Sequence, residues 1–100
     1  MTNLRTAFVS GTGTFLDSIT SVTVTDTRVR AVKCVVNGGA GANVIITGTS
    51  TDPFGNTNGG RIRFQIHQDS YQEFPDNGIR MAGPVIVSAA ASISTTIYYG

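Results

Sequence analysis

One short stretch of the chain collects the residue types of a hydrolytic site. The sequence IHQDS, residues 66–70, holds His67, Asp69 and Ser70 within four positions. A catalytic triad is defined by geometry, and neighbours along a strand point to opposite faces of a sheet or into a loop. We therefore interpret His67 as the end of a strand and the next Asp and Ser as the start of a turn. The sequence predicts no catalytic residues and a protein that is not an enzyme, so a small hydrolase is disfavoured.

Groups that could hold a metal or a phosphate are sparse. Asp69, Glu73 and Asp76 flank one loop, but a calcium site needs six or more oxygen ligands, and the spacing of a calcium-binding loop is missing. Zinc is disfavoured because the chain has one His and one Cys. The G-x-G at residues 11–13 is not followed by a helical pattern, so it does not form a phosphate cradle. We expect no metal and no cofactor.

Charge is low throughout the sequence. Charged residues make up 13% of the chain, about half the usual share for a soluble domain, and the net charge is +1. Arg28, Arg30, Arg61 and Arg63 could form a basic stripe on adjacent strands, but the acidic residues nearly cancel them. We therefore expect no binding to nucleic acid or to an anionic membrane. We expect the arginines instead to bind carboxylates or backbone carbonyl groups of a neighbouring protein. In a small domain with few charges, copies of the protein repel each other only weakly, and this favours a protein that works within an assembly.

Targeting signals are missing from the first residues. The sequence MTNLRTAFVSGTG contains no apolar core of signal-peptide length, and no later run approaches the length of a membrane span. We therefore expect a protein that is made and used without Sec export. This expectation weighs against an ordinary secreted β-module.

The composition favours β-structure. Val and Ile total nineteen residues and Thr fourteen, whereas Leu occurs twice. Branched Cβ atoms lose rotamer freedom in a helix and pack well on a pleated sheet. The single cysteine, Cys34 in VKCVV, cannot form an internal disulfide and is predicted to be a small buried hydrophobe. One hundred residues correspond to one domain, which we place at 1–100.

Alternating patterns and turn residues divide the chain into about eight short strands. The longest, 28–36, has no purely polar face and is predicted to be central or covered on both sides. The strand at 61–67 should be half-buried, because Ile62, Phe64 and Ile66 alternate with polar residues. We predict a two-sheet antiparallel sandwich, jelly-roll or immunoglobulin-like, with a five- or six-stranded barrel as the alternative. The other predicted strands are 4–10, 14–16, 19–25, 42–47, 79–81, 85–89 and 92–99, with a hairpin connection at 37–42, a turn at 75–78 and a break at Gly83-Pro84.

The one long loop, residues 48–60, reads GTSTDPFGNTNGG and has no strand pattern. Long loops in compact domains are usually functional or disordered, so we expect this loop to be loose in the isolated domain. Its Phe54 could anchor a partner or fold back onto the domain's own sheet. Tyrosines near the end of the chain offer apolar area with a polar tip, as interfaces favour. The predicted interface residues are Phe54, Arg61, Arg63, Tyr71, Phe74, Tyr98 and Tyr99.

The last quarter of the chain, NGIRMAGPVIVSAAASISTTIYYG, resembles the ending of many small virion proteins of tailed bacteriophages, especially short-tailed marine and cyanobacterial ones. The matching positions are Gly78-Ile79-Arg80, Val85-Ile86-Val87 and residues 95–100, with a looser match at 28–36. The resemblance implies a β-sandwich structural component of the particle, a head decoration (cement) protein or, as the alternative, a tail or adaptor piece. It brings no catalytic residues. The long Asn- and Gly-rich loop departs from the pattern and leaves the docking site open.

We therefore expect a non-enzymatic protein that stabilises a phage head by bridging capsid subunits. Its partners would be the major capsid protein or other virion proteins, together with further copies of itself. It would bridge the capsid subunits either as a trimer, which is favoured, or by docking through exposed strand edges. It would be assembled in the host cytoplasm and would reside in the virion. The alternatives are a tail, adaptor or fibre component and a carbohydrate-binding β-module, which would need aromatic residues such as Tyr71, Tyr98 and Tyr99 on an exposed face.

Overall fold

The architecture is taken from a computed structural model, which describes residues 4–37 and 42–100. Within these ranges the chain forms strands and turns but no helix, and every strand pairing is antiparallel. The predicted all-β antiparallel sandwich arrangement of about eight strands is confirmed. The strands are β1 (Arg5–Ser10), β2 (Gly13–Thr14), β3 (Thr25–Val36), β4 (Ala42–Gly48), β5 (Arg61–Ile66), β6 (Ser70–Glu73), β7 (Ile79–Ser88) and β8 (Ile93–Tyr99).

The strands form two layers that share one member. The first sheet has the order β1-β8-β3-β6, and the second has the order β2-β7-β4-β5. The first half of β7 pairs with β3, and its second half pairs with β4 and β2. The strand β7 therefore passes from one sheet to the other and connects the two layers.

The bend in β7 lies at Gly83-Pro84, where the sequence predicted a break between two strands. The structure instead has one continuous strand, so that prediction was wrong. Gly83 has φ +76°, and a Cβ at this position would lie 2.6 Å from the backbone nitrogen of Ser50. A side chain fits neither the conformation nor the space. The bend therefore depends on glycine, and the chain crosses between sheets without leaving the strand.

The core lies between the two sheets and is built by alternation. On β8 every second residue from Ile93 to Tyr99 is buried, and on β5 Ile62 and Ile66 are buried while Arg61 and Arg63 are exposed. The predicted half-buried character of residues 61–67 is confirmed. The prediction that 28–36 is central is confirmed as well, because β3 pairs with β8 on one edge and with β6 and β7 on the other. Cys34 is buried, as predicted, and burial raises the pKa of its thiol to about 11.

Three local predictions differ from the structure. Residues 19–25 do not form a strand, because residues 18–20 form a turn and Thr25 already belongs to β3. The short strand β6 was missed, since its sequence SYQE has little apolar character and pairs only at the sheet edge. Only Gly13 and Thr14 of the predicted segment 14–16 pair as a strand with β7. Most of the predicted hairpin connection at 37–42 lies outside the described residues.

One buried hydroxyl group has no hydrogen-bond partner in the described part of the chain. It is Oγ1 of Thr95, a fully buried side chain that lies opposite Cys34 in the ladder between β8 and β3. The Cys34 thiol beside it lies outside normal hydrogen-bond geometry and is only a weak acceptor; its interaction with Thr95 slightly opposes the rise in the pKa of Cys34, so the hydroxyl group is poorly compensated for leaving water. The valine side chain has nearly the same shape and no hydroxyl group.

We expect Thr95→Val to raise the free energy of unfolding by about 1 kcal/mol, since it removes an unsatisfied buried group. For a domain of this size the corresponding rise in melting temperature is roughly 4–8 °C. Thr96→Val is the matched control, because Thr96 is the next residue on the outer side of the same strand. It should change stability by no more than about 0.5 kcal/mol. A destabilised Thr95→Val variant would contradict this account of the core.

Candidate interaction surface

The outer side of the first sheet carries aromatic residues on three of its four strands, in two adjacent rows of the ladder. Phe8 on β1 lies opposite Thr96 on β8, which lies opposite Lys33 on β3, which lies opposite Tyr71 on β6. The adjacent row contains Thr6, Tyr98, Ala31 and Glu73, in the same strand order. Residues directly opposite each other in a ladder point to the same side of the sheet. We call this surface the aromatic face: Phe8, Lys33, Tyr71, Glu73, Thr96 and Tyr98.

Large apolar area is accessible on the aromatic face. Phe8 and Tyr71 are each 54% exposed, and Tyr98 is half-buried beside them. The rings of Tyr71 and Tyr98 pack edge to face, with centroids 6.0 Å apart and an interplanar angle of 74°. The Tyr71 hydroxyl donates a 3.0 Å hydrogen bond to Oε1 of Glu73, and this bond raises the pKa of Tyr71. The two tyrosines are therefore held in place before any partner binds.

A turn extends this surface beyond β1. An isolated antiparallel bridge joins Ala7 to Asp17, which brings Leu16 alongside Phe8 on the outer side. Leu16 is 45% exposed, and the turn that follows leaves Ile19 almost fully exposed. Exposed apolar residues are ordinary when scattered, but a contiguous group marks an interaction site. Leu16 and Phe8 make the apolar area continuous from the turn onto the sheet.

The turn is fixed by a buried carboxylate. Oδ1 of Asp17 accepts 2.9 Å hydrogen bonds from the backbone N–H groups of Ile19 and Thr20, and Oδ2 accepts one from the hydroxyl group of Tyr99. The Tyr99 bond is the main cause of the lowered pKa of Asp17. Burial, followed by the Asp17 carboxylate, raises the pKa of Tyr99 to about 12. We call these groups the Asp17 clasp, which ties the exposed turn to the last strand of the core.

Two of the predicted interface residues belong to the interior instead. Tyr99 is 6% exposed, because alternation along β8 directs it inward when Tyr98 points outward. Phe74 is partly buried against the core cluster, and its backbone N–H donates to the carbonyl oxygen of Arg30. The sequence prediction treated the neighbouring residues Tyr98 and Tyr99 as equivalent. Because side chains alternate along a strand, the two rings point to opposite sides of the sheet. Tyr71 and Tyr98 remain on the surface as predicted.

Phe54 lies in the long loop and is 88% exposed. The loop is more regular than predicted, since Thr51 and Thr57 form a bridge and Oδ1 of Asp52 accepts the N–H groups of Phe54 and Asn56, each at 2.9 Å. These bonds, the Asn56 N–H first, lower the pKa of Asp52. The missed signal is an aspartate that begins a turn ending in glycine. Phe54 therefore stands at the tip of a hydrogen-bonded hairpin and does not fold back onto the sheet.

The remaining predicted residues lie apart from the aromatic face. Arg61 and Arg63 are exposed on β5 in the second sheet, whereas Arg28 and Arg30 belong to β3 in the first sheet. The four arginines therefore do not form one stripe on adjacent strands. His67 is exposed, and the Asp69 carboxylate accepts the Val36 backbone N–H at 2.9 Å. His67 directly follows the last residue of β5, close to the predicted strand end, whereas the predicted turn start is wrong, because Asp69 directly precedes β6 and Ser70 is its first residue.

In residues 4–37 and 42–100, no group of three or more His, Cys, Asp or Glu side chains is placed to hold a metal ion. Over the same ranges, no helix has the length and apolar character to cross a membrane. Comparison with known protein families, curated proteins and solved structures found no match to this chain.

Sequence reasoning missed Phe8, Leu16 and Asp17. A signal for Phe8 was present, because Ala7 and Val9 flank it at the inward positions of β1. Strict alternation would have placed Phe8 outward. The roles of Leu16 and Asp17 depend on contacts with β1 and with Tyr99, which are distant in sequence, so no local pattern could show them.

Tyr99→Phe should lower the melting temperature at pH 7, since it removes one hydrogen-bond donor from the buried Asp17 carboxylate. It should also reduce the loss of stability at high pH. A tyrosine whose pKa is raised on folding contributes stability that is lost as the pH rises from about 10, its unfolded value, to about 12. The fall in melting temperature between pH 9 and pH 11 should be smaller in Tyr99→Phe than in the unsubstituted protein.

Tyr98→Phe is the matched control because it leaves the Asp17 clasp intact. It should keep the full alkaline fall in melting temperature. An equal fall in Tyr99→Phe and the unsubstituted protein would show that the clasp does not link Tyr99 to the stability of the fold.

Phe54→Ala should leave the free energy of unfolding of the isolated protein within about 0.5 kcal/mol of the starting value, as for other surface substitutions. The reason is that the ring contributes little to the core when it is 88% exposed. Chemical denaturation measures this directly. A loss of several kcal/mol would mean that Phe54 packs against its own domain.

Proposed function

We propose that this protein is a non-enzymatic structural component of a bacteriophage virion, a capsid decoration (cement) protein that stabilises the head by bridging capsid subunits. The phage assignment rests on the resemblance of residues 77–100 to the ends of small virion proteins. The docking role rests on the aromatic face. The proposed partners are the major capsid protein and further copies of the chain, with a trimer as the favoured oligomer.

The observation that carries the proposal is a group of accessible apolar and aromatic side chains on one side of the first sheet, Leu16, Phe8, Tyr71 and Tyr98, with Thr96 and Lys33 between Phe8 and Tyr71. Interfaces are enriched in aromatic residues and depleted in most charged ones at their centres. The rings of Tyr71 and Tyr98 are held by their contact with each other and by the Glu73 hydrogen bond, so fixing them on binding loses little side-chain entropy. A protein that binds only the assembled lattice stabilises it by mass action, in proportion to its concentration relative to the dissociation constant.

A carbohydrate-binding role is the weaker alternative. A sugar ring stacks on an aromatic ring that lies flat and open, and the edge-to-face packing of Tyr71 and Tyr98 at 74° does not offer two coplanar rings. The Tyr71 hydroxyl group is also engaged by Glu73. This arrangement favours a shaped protein partner that packs around the rings. A tail, adaptor or fibre position would use the same surface in the same way.

The test uses particles of the phage that encodes this chain. The protein should be detected in purified virions by mass spectrometry, released by mild denaturant, and bound again when the purified protein is added back. The double substitution Phe8→Ser and Tyr71→Ser should weaken rebinding by about tenfold or more, as for aromatic residues at the centre of an interface. The melting temperature of this double variant establishes that it is folded.

Two matched variants separate the aromatic face from the other predicted surfaces. Phe54→Ser alters an exposed aromatic residue in the long loop, and Arg61→Ser with Arg63→Ser alters the outer side of the second sheet. Each should rebind within about threefold of the unsubstituted protein, as expected for residues outside an energetic centre. Absence of the chain from virions would contradict the phage assignment. Stronger loss with Phe54→Ser would move the docking site to the loop.

A further inference from the structure

Two arginines lie directly opposite each other on the outer side of the first sheet. Arg28 on β3 pairs in register with Arg80 on β7, and both side chains are exposed. Their inward neighbours Val29 and Met81 are fully buried, so both arginines point outward. A bulge at Arg30 shifts the register of β3 against β8, which keeps Arg28 and Lys33 on the same outer side. The arginine pair therefore continues the aromatic face beyond Tyr98.

Like charges directly opposite each other in a ladder are destabilising. The fold nevertheless places Arg28 and Arg80 together, where they line an open cleft of about 320 Å³ with Asp26, Thr27 and Gly100. Oδ1 of Asp26 already accepts the N–H of Gly83 at 2.8 Å. Asp26 and the α-carboxylate of Gly100 bring two negative charges to the cleft, against the guanidinium groups of Arg28, Arg80 and the adjoining Arg30, so the net charge is +1.

Further basic groups surround this cleft. Nη2 of Arg30 donates to the main-chain oxygen of Gly100 at 3.1 Å, so a third guanidinium group adjoins the cleft wall. Lys33 lies three residues beyond Arg30 on β3, in the row of Phe8 and Tyr71. This side of the sheet thus holds four of the seven basic residues of the chain. An anionic group between Arg28 and Arg80 would relieve their repulsion and could accept a bidentate hydrogen bond from either one.

We infer that the cleft between Arg28 and Arg80 binds a carboxylate from an acidic protein segment that lies along the aromatic face. The inference deepens the proposed function, because it specifies the chemistry of the surface that the capsid partner presents. The segment places apolar residues on Phe8 and Leu16 and an Asp or Glu side chain in the cleft. Charge complementarity also sets the orientation of the partner on the face.

A protein segment fits this surface better than a nucleic acid does. Single strands bind by stacking successive bases on open aromatic rings, and the Tyr71 and Tyr98 rings pack on each other. The Glu73 carboxylate lies on β6 at the edge of the face and would repel a strand that carries a phosphate at every nucleotide, whereas a protein segment needs only one carboxylate, in the cleft.

The experiment titrates the ¹⁵N-labelled protein with a capped hexaglutamate peptide and follows the amide signals. Shifts are expected at Thr27, Arg28 and Arg80, and added salt should weaken the binding. Arg28→Gln with Arg80→Gln should raise the dissociation constant by about fivefold or more, as two exposed ion pairs are lost. The matched control, Arg61→Gln with Arg63→Gln, removes the same charge from the second sheet and should leave the constant within about twofold.

Three outcomes would overturn the inference. One is no shift around the cleft at millimolar peptide. Another is an equal loss of affinity in the two double variants, which would indicate general charge attraction. The third is tighter binding of a twelve-nucleotide oligothymidine than of hexaglutamate, which would indicate a nucleic-acid surface. Rebinding to virions through Phe8 and Tyr71 is measured separately, so the proposed function can stand while this inference fails.

Discussion

Alternation along the strands is the constraint on which the rest of this structure depends. Along β8, Ile93, Thr95, Ile97 and Tyr99 point inward while the residues between them point outward. A shift of one residue would exchange the two sets completely. The same register gives Tyr99 to the Asp17 clasp and Tyr98 to the aromatic face. Core and surface are therefore determined together, by one pairing between β8 and its neighbours β1 and β3.

The second constraint is the passage of β7 between the sheets. Gly83 has a conformation and surroundings that exclude a side chain, so the bend is determined by the backbone. The first half of β7 brings Arg80 opposite Arg28, and the second half carries Val85 and Val87 into the core. The same strand therefore contributes buried side chains to the core and places Arg80 beside Arg28 on the outer side of the first sheet.

The sequence was most informative where the signal is local and periodic. The alternation of β5 and the β-branched composition predicted the fold class, and the apolar flanks of Cys34 predicted its burial. The signal for the turn that begins at Asp52 is also local in the sequence. The Gly and Asn residues of this segment predicted a loose loop, but the Asp52 carboxylate accepts two backbone N–H groups and orders it. The candidate surface was harder to predict because it arises from pairing. Phe8, Tyr71 and Tyr98 come from three separate segments, and Arg28 and Arg80 are brought together only by the register of β3 and β7.

Hydroxyl-radical footprinting of the protein, free and bound to purified virions, tests the central claim most directly. Oxidation of each aromatic side chain is measured by mass spectrometry in both states. The account predicts that Phe8 and Tyr71 become protected on the particle, while Phe54 is oxidised at the same rate in both. Protection of Phe54 with unchanged oxidation of Phe8 and Tyr71 would contradict it and assign docking to the loop.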